Sequence, residues 1–386
     1  MAILEQCTGL RGLAAVMVSI CIFPFRFAWI AWWADTAVVL FFILSGFLLG
    51  HIYANREFTR ENILGYVLSR AARMCPLYLF TLSVAFLCKD FVADISLLDP
   101  NAYFLTSCAP DIWAFALVVN PHCFHLWTIA VEIQFYILFV LVWCLHQRIS
   151  FLAVWSIYFA FALTFSRTGL PFHSLSYLHI FLIGTALGTR WEGGVMLWIR
   201  SHQRTFEHAI PYATSYLLAG PALHALALES VPTEQEVRGT PSFVGGLFEV
   251  RGSTESNPQY HTERWILIYS DPLLILSAVG CVLSAASSSS ATRFLSSGPC
   301  QSIGSWSYGI YLFSPWSFVA AGMVVQHAQA NVGFAFIIYS SSLAASLLLA
   351  RFSFMFFESK ASSWLSVHGY TLIRTLKRHS QSYNLV

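Results

Sequence analysis

Charged residues are scarce in this chain, at 10% of 386 positions, where an ordinary soluble domain carries roughly a quarter. With 57% hydrophobic residues and a mean hydropathy of +0.63, a soluble fold would have to hide more apolar surface than one core can hold. The formal charge is only +2 and no basic stretch is interleaved with aromatics, so nothing supports nucleic-acid binding and none is expected. The nine cysteines include no CxxC pair, and no metal is expected. Most of them lie in or beside apolar runs as buried thiols, with an outer-side Cys108–Cys123 disulfide as an alternative. No small-residue cleavage site follows the first apolar run, so that run reads as an integral helix and not as a removed signal peptide. No internal repeat stands out.

What the chain has in abundance is long apolar runs. A hydrocarbon layer about 30 Å thick takes about 20 helical residues, and the backbone inside it must satisfy its own hydrogen bonds. The runs near 12–32, 34–52, 76–94, 126–145, 150–166, 174–189, 208–228, 265–287, 303–325 and 331–352 meet this requirement. The expected fold is therefore all-α, a polytopic transmembrane domain of about ten spans. The stretch 101–120 is also apolar, but Pro110 and Asp111 in its middle make it a short or interfacial helix. Arg56, Arg60, Arg70, Arg73, Arg190, Arg200 and Lys377 then share the cytoplasmic side, which places both termini there. An eleventh span at 101–120 would reverse that bias. Residues 1–360 form the membrane domain, 229–264 a polar extracytoplasmic loop that is a connection or a lid, and 361–386 a cytoplasmic tail.

Several polar groups stand out against this background. Arg11, between Gly9 and Gly12 near the start of the first span, is a snorkelling end charge or a cation for an anionic ligand. Its small neighbours would admit another helix or a cofactor. Ser45, Gly46 and Gly50 give the second span a small face suited to helix packing, with His51 at its exit as a weak catalytic signal. Arg70 and Arg73, three residues apart, share a helix face just before Pro76, which is read as the start of the third span. They clamp a phosphate or diphosphate, as of a nucleotide or coenzyme A, or they simply anchor the next helix.

His125 and Glu132 lie seven residues apart in HCFHLWTIAVEIQFYILF, about two turns, and frame one cavity more readily than they form a dyad. A carboxylate inside hydrocarbon is costly, so Glu132 is a ligand-binding or proton-handling group or a structural hydrogen-bonding one. Gln134 and Tyr136 add polar reach, and Trp127 is a site wall or an interface anchor. Tyr308 and Tyr311 offer hydroxyls to a cavity or aromatic rings to the interface. Glu358 and Lys360, following Arg351, are expected to pair locally at the inner face.

In order, GLRGLAAVMV, LFFILSGFLLG, RAARMCPLY, HLWTIAVEIQFY and IGSWSYGIYL resemble the membrane-bound acyltransferase type 3 family over nearly the whole chain. The resemblance implies a ten-helix membrane enzyme that O-acylates a carbohydrate or other hydroxylated acceptor, with acetyl-CoA or another acyl-CoA as donor. It assigns the donor to Arg70 and Arg73, and brings Arg11, His125, Trp127 and Glu132 into register with family site positions. The histidine that the family places eleven positions after its first-helix arginine is Ile22 here, and the one after SYxxYL is Ser314. The acidic position before the second-helix phenylalanines is Val39, and Glu358 lacks the usual following proline. His125 or Glu132 must then act as base, with Arg11 steadying the oxyanion; Trp127, Gln134, Tyr308 and Tyr311 would contact substrate. The alternative is a catalytically weakened relative that binds or moves an acylated substrate. The oligomeric state is not legible.

Overall fold

A chain this poor in polar side chains must pair its backbone groups within each segment, and the apolar runs accordingly form helices. The computed structural model describes residues 2–21, 31–87, 127–148, 156, 160, 174–202, 272–287, 289–328, 331–361 and 363–364. Among the described residues there is no strand. The elements in chain order are α1 (Ala2–Cys21), α2 (Ala31–Leu49), α3 (Arg60–Leu87), α4 (Trp127–Arg148), α5 (Ser174–Thr189), α6 (Met196–Ser201), α7 (Pro272–Ser287), α8 (Ser289–Leu295), α9 (Gly298–His327) and α10 (Val332–Ser353). Five-residue π turns occupy Gly50–Ala54, Trp191–Val195 and Phe354–Glu358.

Four of these segments are long and apolar enough to cross a membrane: Ile3–Ile20, Thr36–Ala54, Gly298–Val325 and Gly333–Ala361. Tyr177–Thr189 and Leu273–Ala285 are shorter apolar helices. Along α10 the residues Phe334, Phe336, Ile337, Leu348, Leu349 and Phe352 are all exposed, an outer surface suited to lipid. All of the fifth expected run except Ser156 and Ala160 lies outside the described residues, as do the seventh run, the stretch 101–120 and the loop 229–264.

Two helix starts lie ten residues or more before the sequence expectation. Helix α1 begins at Ala2, ten residues before the apolar run, because its first turns are buried: Cys7 packs in the core and the Gln6 side-chain amide donates to Thr292 Oγ1 on α8 at 3.2 Å. Arg11 is therefore in mid-helix. Helix α3 begins at Arg60, where the N–H of Asn62 donates to the Thr59 hydroxyl at 3.3 Å. It runs straight through Pro76. The Leu, Ala, Arg and Met residues before the proline are strong helix formers, and Tyr66, Met74, Leu77 and Tyr78 bury one face on both sides of it. Burial of that face offsets the hydrogen bond that Pro76 cannot make. At the other end, α10 starts on Asn331, whose Oδ1 accepts the Phe334 N–H at 2.9 Å.

Close backbone approach at glycines holds the helices together. A Cβ on Gly46 would sit 2.0 Å from the Phe181 carbonyl oxygen, and one on Gly184 would sit 2.1 Å from that of Ile43. Gly50 and Gly188 repeat the arrangement one turn on, against Thr185 and Phe47, so α2 and α5 cross with glycines facing backbone in both directions. The small face read from Ser45, Gly46 and Gly50 is thus a helix-packing face. Beside Arg11, Gly12 admits the backbone of Gly304 on α9, and Gly9 admits Leu295 on α8. Another helix fills that space. Helices α1 and α2 also pack on each other and on α7, while α9 bridges α1 to α10. Phe42, Phe47, Phe135, Phe139, Trp143 and Phe181 form much of the shared core.

Candidate functional site

Helix α4 carries the carboxylate that the membrane does not explain. Glu132 is half-buried, and its Oε1 accepts from two hydroxyls: Ser45 Oγ on α2 at 2.6 Å, and Tyr136 OH one turn further along α4. Both are hydroxyl donations to the same carboxyl oxygen. Ser45 reaches Glu132 because Gly46, beside it, lets α2 lie flat on α5, which in turn packs against α4. Glu132 Oε2 takes no hydrogen bond among the described residues. One turn before Glu132, Thr128 Oγ1 donates to the Tyr311 hydroxyl of α9 at 2.6 Å.

Three guanidinium groups share this interior. Arg11 on α1 is only 6% exposed, and its buried Nε has no hydrogen-bond partner among the described residues. Arg70 and Arg73 lie on one face of α3, as their spacing requires. Arg70 sits over two aromatic rings, those of Tyr53 and Tyr136, with Cζ 5.9 and 5.8 Å from the centroids. Tyr53 is delivered by the π turn after α2 and is fixed by a 2.9 Å hydrogen bond between its hydroxyl and Ser69 Oγ. Arg73 interacts electrostatically with Arg11, Arg70, Tyr136 and Glu132. Tyr308 on α9 donates to the Met74 carbonyl at 3.1 Å and feels both Glu132 and Glu358.

Arg11, Arg70, Arg73, Glu132, Tyr308 and Tyr311 are therefore brought to one interior region. His125 lies outside the described residues, two positions before α4 opens at Trp127. Gln134 is half-buried but lies about 200° round the helix from Glu132, away from that carboxylate's face. His51 stacks on Phe47, with ring centroids 5.8 Å apart. Ser314 is fully buried, shares a 2.8 Å hydrogen bond with Ser19 of α1 and packs inside the bundle.

Glu358 corrects the sequence reading. Among the described residues the expected local pairing of Glu358 with Lys360 does not occur: Lys360 lies over the Phe356 ring at 5.2 Å, and Arg351 lies over Trp306 at 5.7 Å. The π turn carries an extra residue and turns Glu358 inward, where it is 8% exposed and interacts with Arg73 and Arg11. Tyr53 and Glu358 were not legible as site residues because each depends on a π turn, which leaves no periodic signal in sequence. Among the described residues no group of His, Cys, Asp and Glu could hold a metal ion.

The family model described as an acyltransferase domain matches residues 7–351, nearly the whole chain. No curated protein and no solved structure matches it.

Proposed function

Because the chain belongs to the acyltransferase 3 family, a family of membrane acyltransferases, we propose that it transfers an acetyl or other short acyl group from acyl-coenzyme A to a hydroxyl of a carbohydrate or related acceptor. The observation that carries this reading is the convergence of Arg11, Arg70 and Arg73 with the Glu132 carboxylate from four positions on three helices. Such a region can hold a phosphorylated donor and a base together, which is what a thioester-dependent transfer to oxygen requires.

In the proposed reaction the acceptor oxygen attacks the thioester carbonyl carbon as its proton passes to Glu132 or His125. The tetrahedral oxyanion is steadied by Arg11, the carbon–sulfur bond then breaks, and coenzyme A leaves as the thiol after taking back a proton. Ser45 and Tyr136 hold Glu132 Oε1, and Oε2 would be the oxygen that takes the proton. Arg70 and Arg73 bind the donor phosphates. We place the reaction in a cell membrane crossed about ten times, with both termini and the basic α3 segment on the cytoplasmic side. The 229–264 loop and the 361–386 tail lie on opposite faces in this topology.

A non-catalytic relative that binds or carries the acylated substrate is the second reading, favoured by Ser314, which is sealed against Ser19 where the family has an imidazole. One assay separates the two. The protein purified in nanodiscs is given labelled acetyl-coenzyme A, with and without a panel of glycans, and free thiol and labelled acceptor are measured. Acceptor-dependent thiol release supports the enzyme, and binding of coenzyme A with no release across the panel overturns it. Arg73→Ala and Arg70→Ala should each raise the donor KM about 10- to 100-fold, the worth of a hydrogen bond to a charged group. An unchanged KM in both would remove the donor assignment.

A further inference from the structure

Two residue pairs, each four apart in sequence, face each other across the interior. Residues at that spacing share a helix face, so Glu132 and Tyr136 project together from α4, and Tyr66 and Arg70 project together from α3. The two pairs meet at Tyr136. Its hydroxyl donates to Glu132 Oε1, its ring lies under the Arg70 guanidinium with Cζ 5.8 Å from the centroid, and its carbonyl accepts the Tyr66 hydroxyl at 2.7 Å. Both tyrosines are buried.

A phenylalanine at this position would fill the same space and keep a ring beneath Arg70. The hydroxyl therefore has a task of its own, since a buried tyrosine O–H needs an acceptor and this one takes the carboxyl oxygen of Glu132. With Ser45 alone, Glu132 would be held by one bond from α2 and its side chain could swing about that point. A second donor from its own helix, on the same oxygen, fixes the group. The ring has the other task. Arg70 sits over two rings, and the second, Tyr53, is tied to Ser69 through its hydroxyl at 2.9 Å and lies edge-on to Tyr66 with centroids 5.0 Å apart. Tyr66 thus braces both rings under Arg70, by packing on Tyr53 and by bonding the main chain of Tyr136.

We propose that Tyr136 is a positioning residue that joins the donor site to the base: its hydroxyl sets the Glu132 carboxyl and its ring sets the Arg70 guanidinium, with Tyr66 fixing the main chain between them. The proposal rests on the donor and base assignments above and adds the side chain that holds the two at a fixed separation. One tyrosine does both because its polar tip and its π face are rigidly connected. Acyl transfer needs that separation, since the thioester is delivered through the donor phosphates and attacked where the proton is taken.

The test is steady-state acyl transfer by the full-length protein in nanodiscs, with acetyl-coenzyme A varied and the glycan that supports thiol release held at saturation. The two contacts predict changes in different constants. Tyr136→Phe keeps the ring and removes the hydroxyl, so kcat should fall about five- to tenfold, the worth of one hydrogen bond, with the donor KM unchanged. Tyr136→Leu removes both, and should add a rise of about three- to tenfold in donor KM. A merely structural tyrosine would lower the Tm in both variants without dividing kcat from KM in this way. Wild-type kcat in Tyr136→Phe, or the same donor KM in the two variants, would overturn the proposal. If Tyr136→Leu yields no folded protein, Tyr136→Phe decides, and a raised donor KM in that variant, whose ring is intact, counts against the proposal. In a Glu132→Gln background Tyr136→Phe should cost nothing further; a full additional loss would show the hydroxyl acting other than through Glu132 and overturn it. A wild-type rate that does not depend on acetyl-coenzyme A would instead overturn the donor reading, and that result appears before any substitution is made.

Discussion

Glu132→Gln is expected to lower kcat for acyl transfer about 10²- to 10⁴-fold, the range a positioned general base contributes. The substitution keeps the shape of the side chain and leaves one carbonyl oxygen to accept from Ser45 and Tyr136, so the contact between α2 and α4 survives. What it removes is the charge and the capacity to take a proton. Turnover at saturating donor and the unfolding temperature should be measured on the same preparation. A fall in Tm with kcat within threefold of wild type would make Glu132 a structural hydrogen-bonding residue and return the role of base to His125. Loss of turnover with an unchanged Tm is the result expected here, and a normal donor KM in the same variant would separate the proton-transfer role from donor binding.

The second large effect concerns the frame that holds this carboxylate. Gly46→Val and Gly184→Val should each abolish recovery of folded protein in detergent. A Cβ at these positions would lie 2.0 and 2.1 Å from a carbonyl oxygen of the facing helix, and backbone cannot move aside as a flexible side chain can. Overpacking of a side chain against side chains costs about 1–3 kcal/mol. Here the clash is with main chain on a reciprocal crossing, so the cost exceeds that range unless α2 and α5 separate. Separation would carry Ser45 away from Glu132. Gly298→Ala supplies the control, since nothing lies within 4 Å of its added Cβ. Size-exclusion profiles and thermal unfolding of the three variants decide the matter: a monodisperse, wild-type-like profile for Gly46→Val would show that the crossing does not hold the bundle together.

The parts of this molecule that were legible in sequence are those governed by local composition. Apolar length marks α2, α5, α9 and α10 to within a few residues, because backbone in lipid must pair internally and runs of this length do so as helices. The small face at Ser45, Gly46 and Gly50 was also legible, since residues four apart meet the same neighbour. Helix starts were less so. Pro76 marks the end of a charged stretch and looks like a beginning, yet α3 passes through it because burial on either side outweighs one missing hydrogen bond. Arg11 looks like an end charge because the apolar run starts after it, and only the packing of Gln6 and Cys7 against the neighbouring helices shows that the helix begins earlier.

Composition alone settled that this chain is helical and suited to a membrane, and five ordered segments were enough to indicate its family. Tertiary structure alone decided which charges meet. Arg11 and Arg73 are 62 residues apart in sequence, and Glu358 lies 285 beyond Arg73, by subtraction of their numbers. No periodic pattern links such positions. The one-residue offset of a π turn, which sequence spacing does not record, brings Tyr53 under Arg70 and buries Glu358 inside the bundle. Hydrophobic length is additive along a chain and can be read from it, whereas the field at a buried charge is a sum over neighbours in space and exists only once the helices have packed.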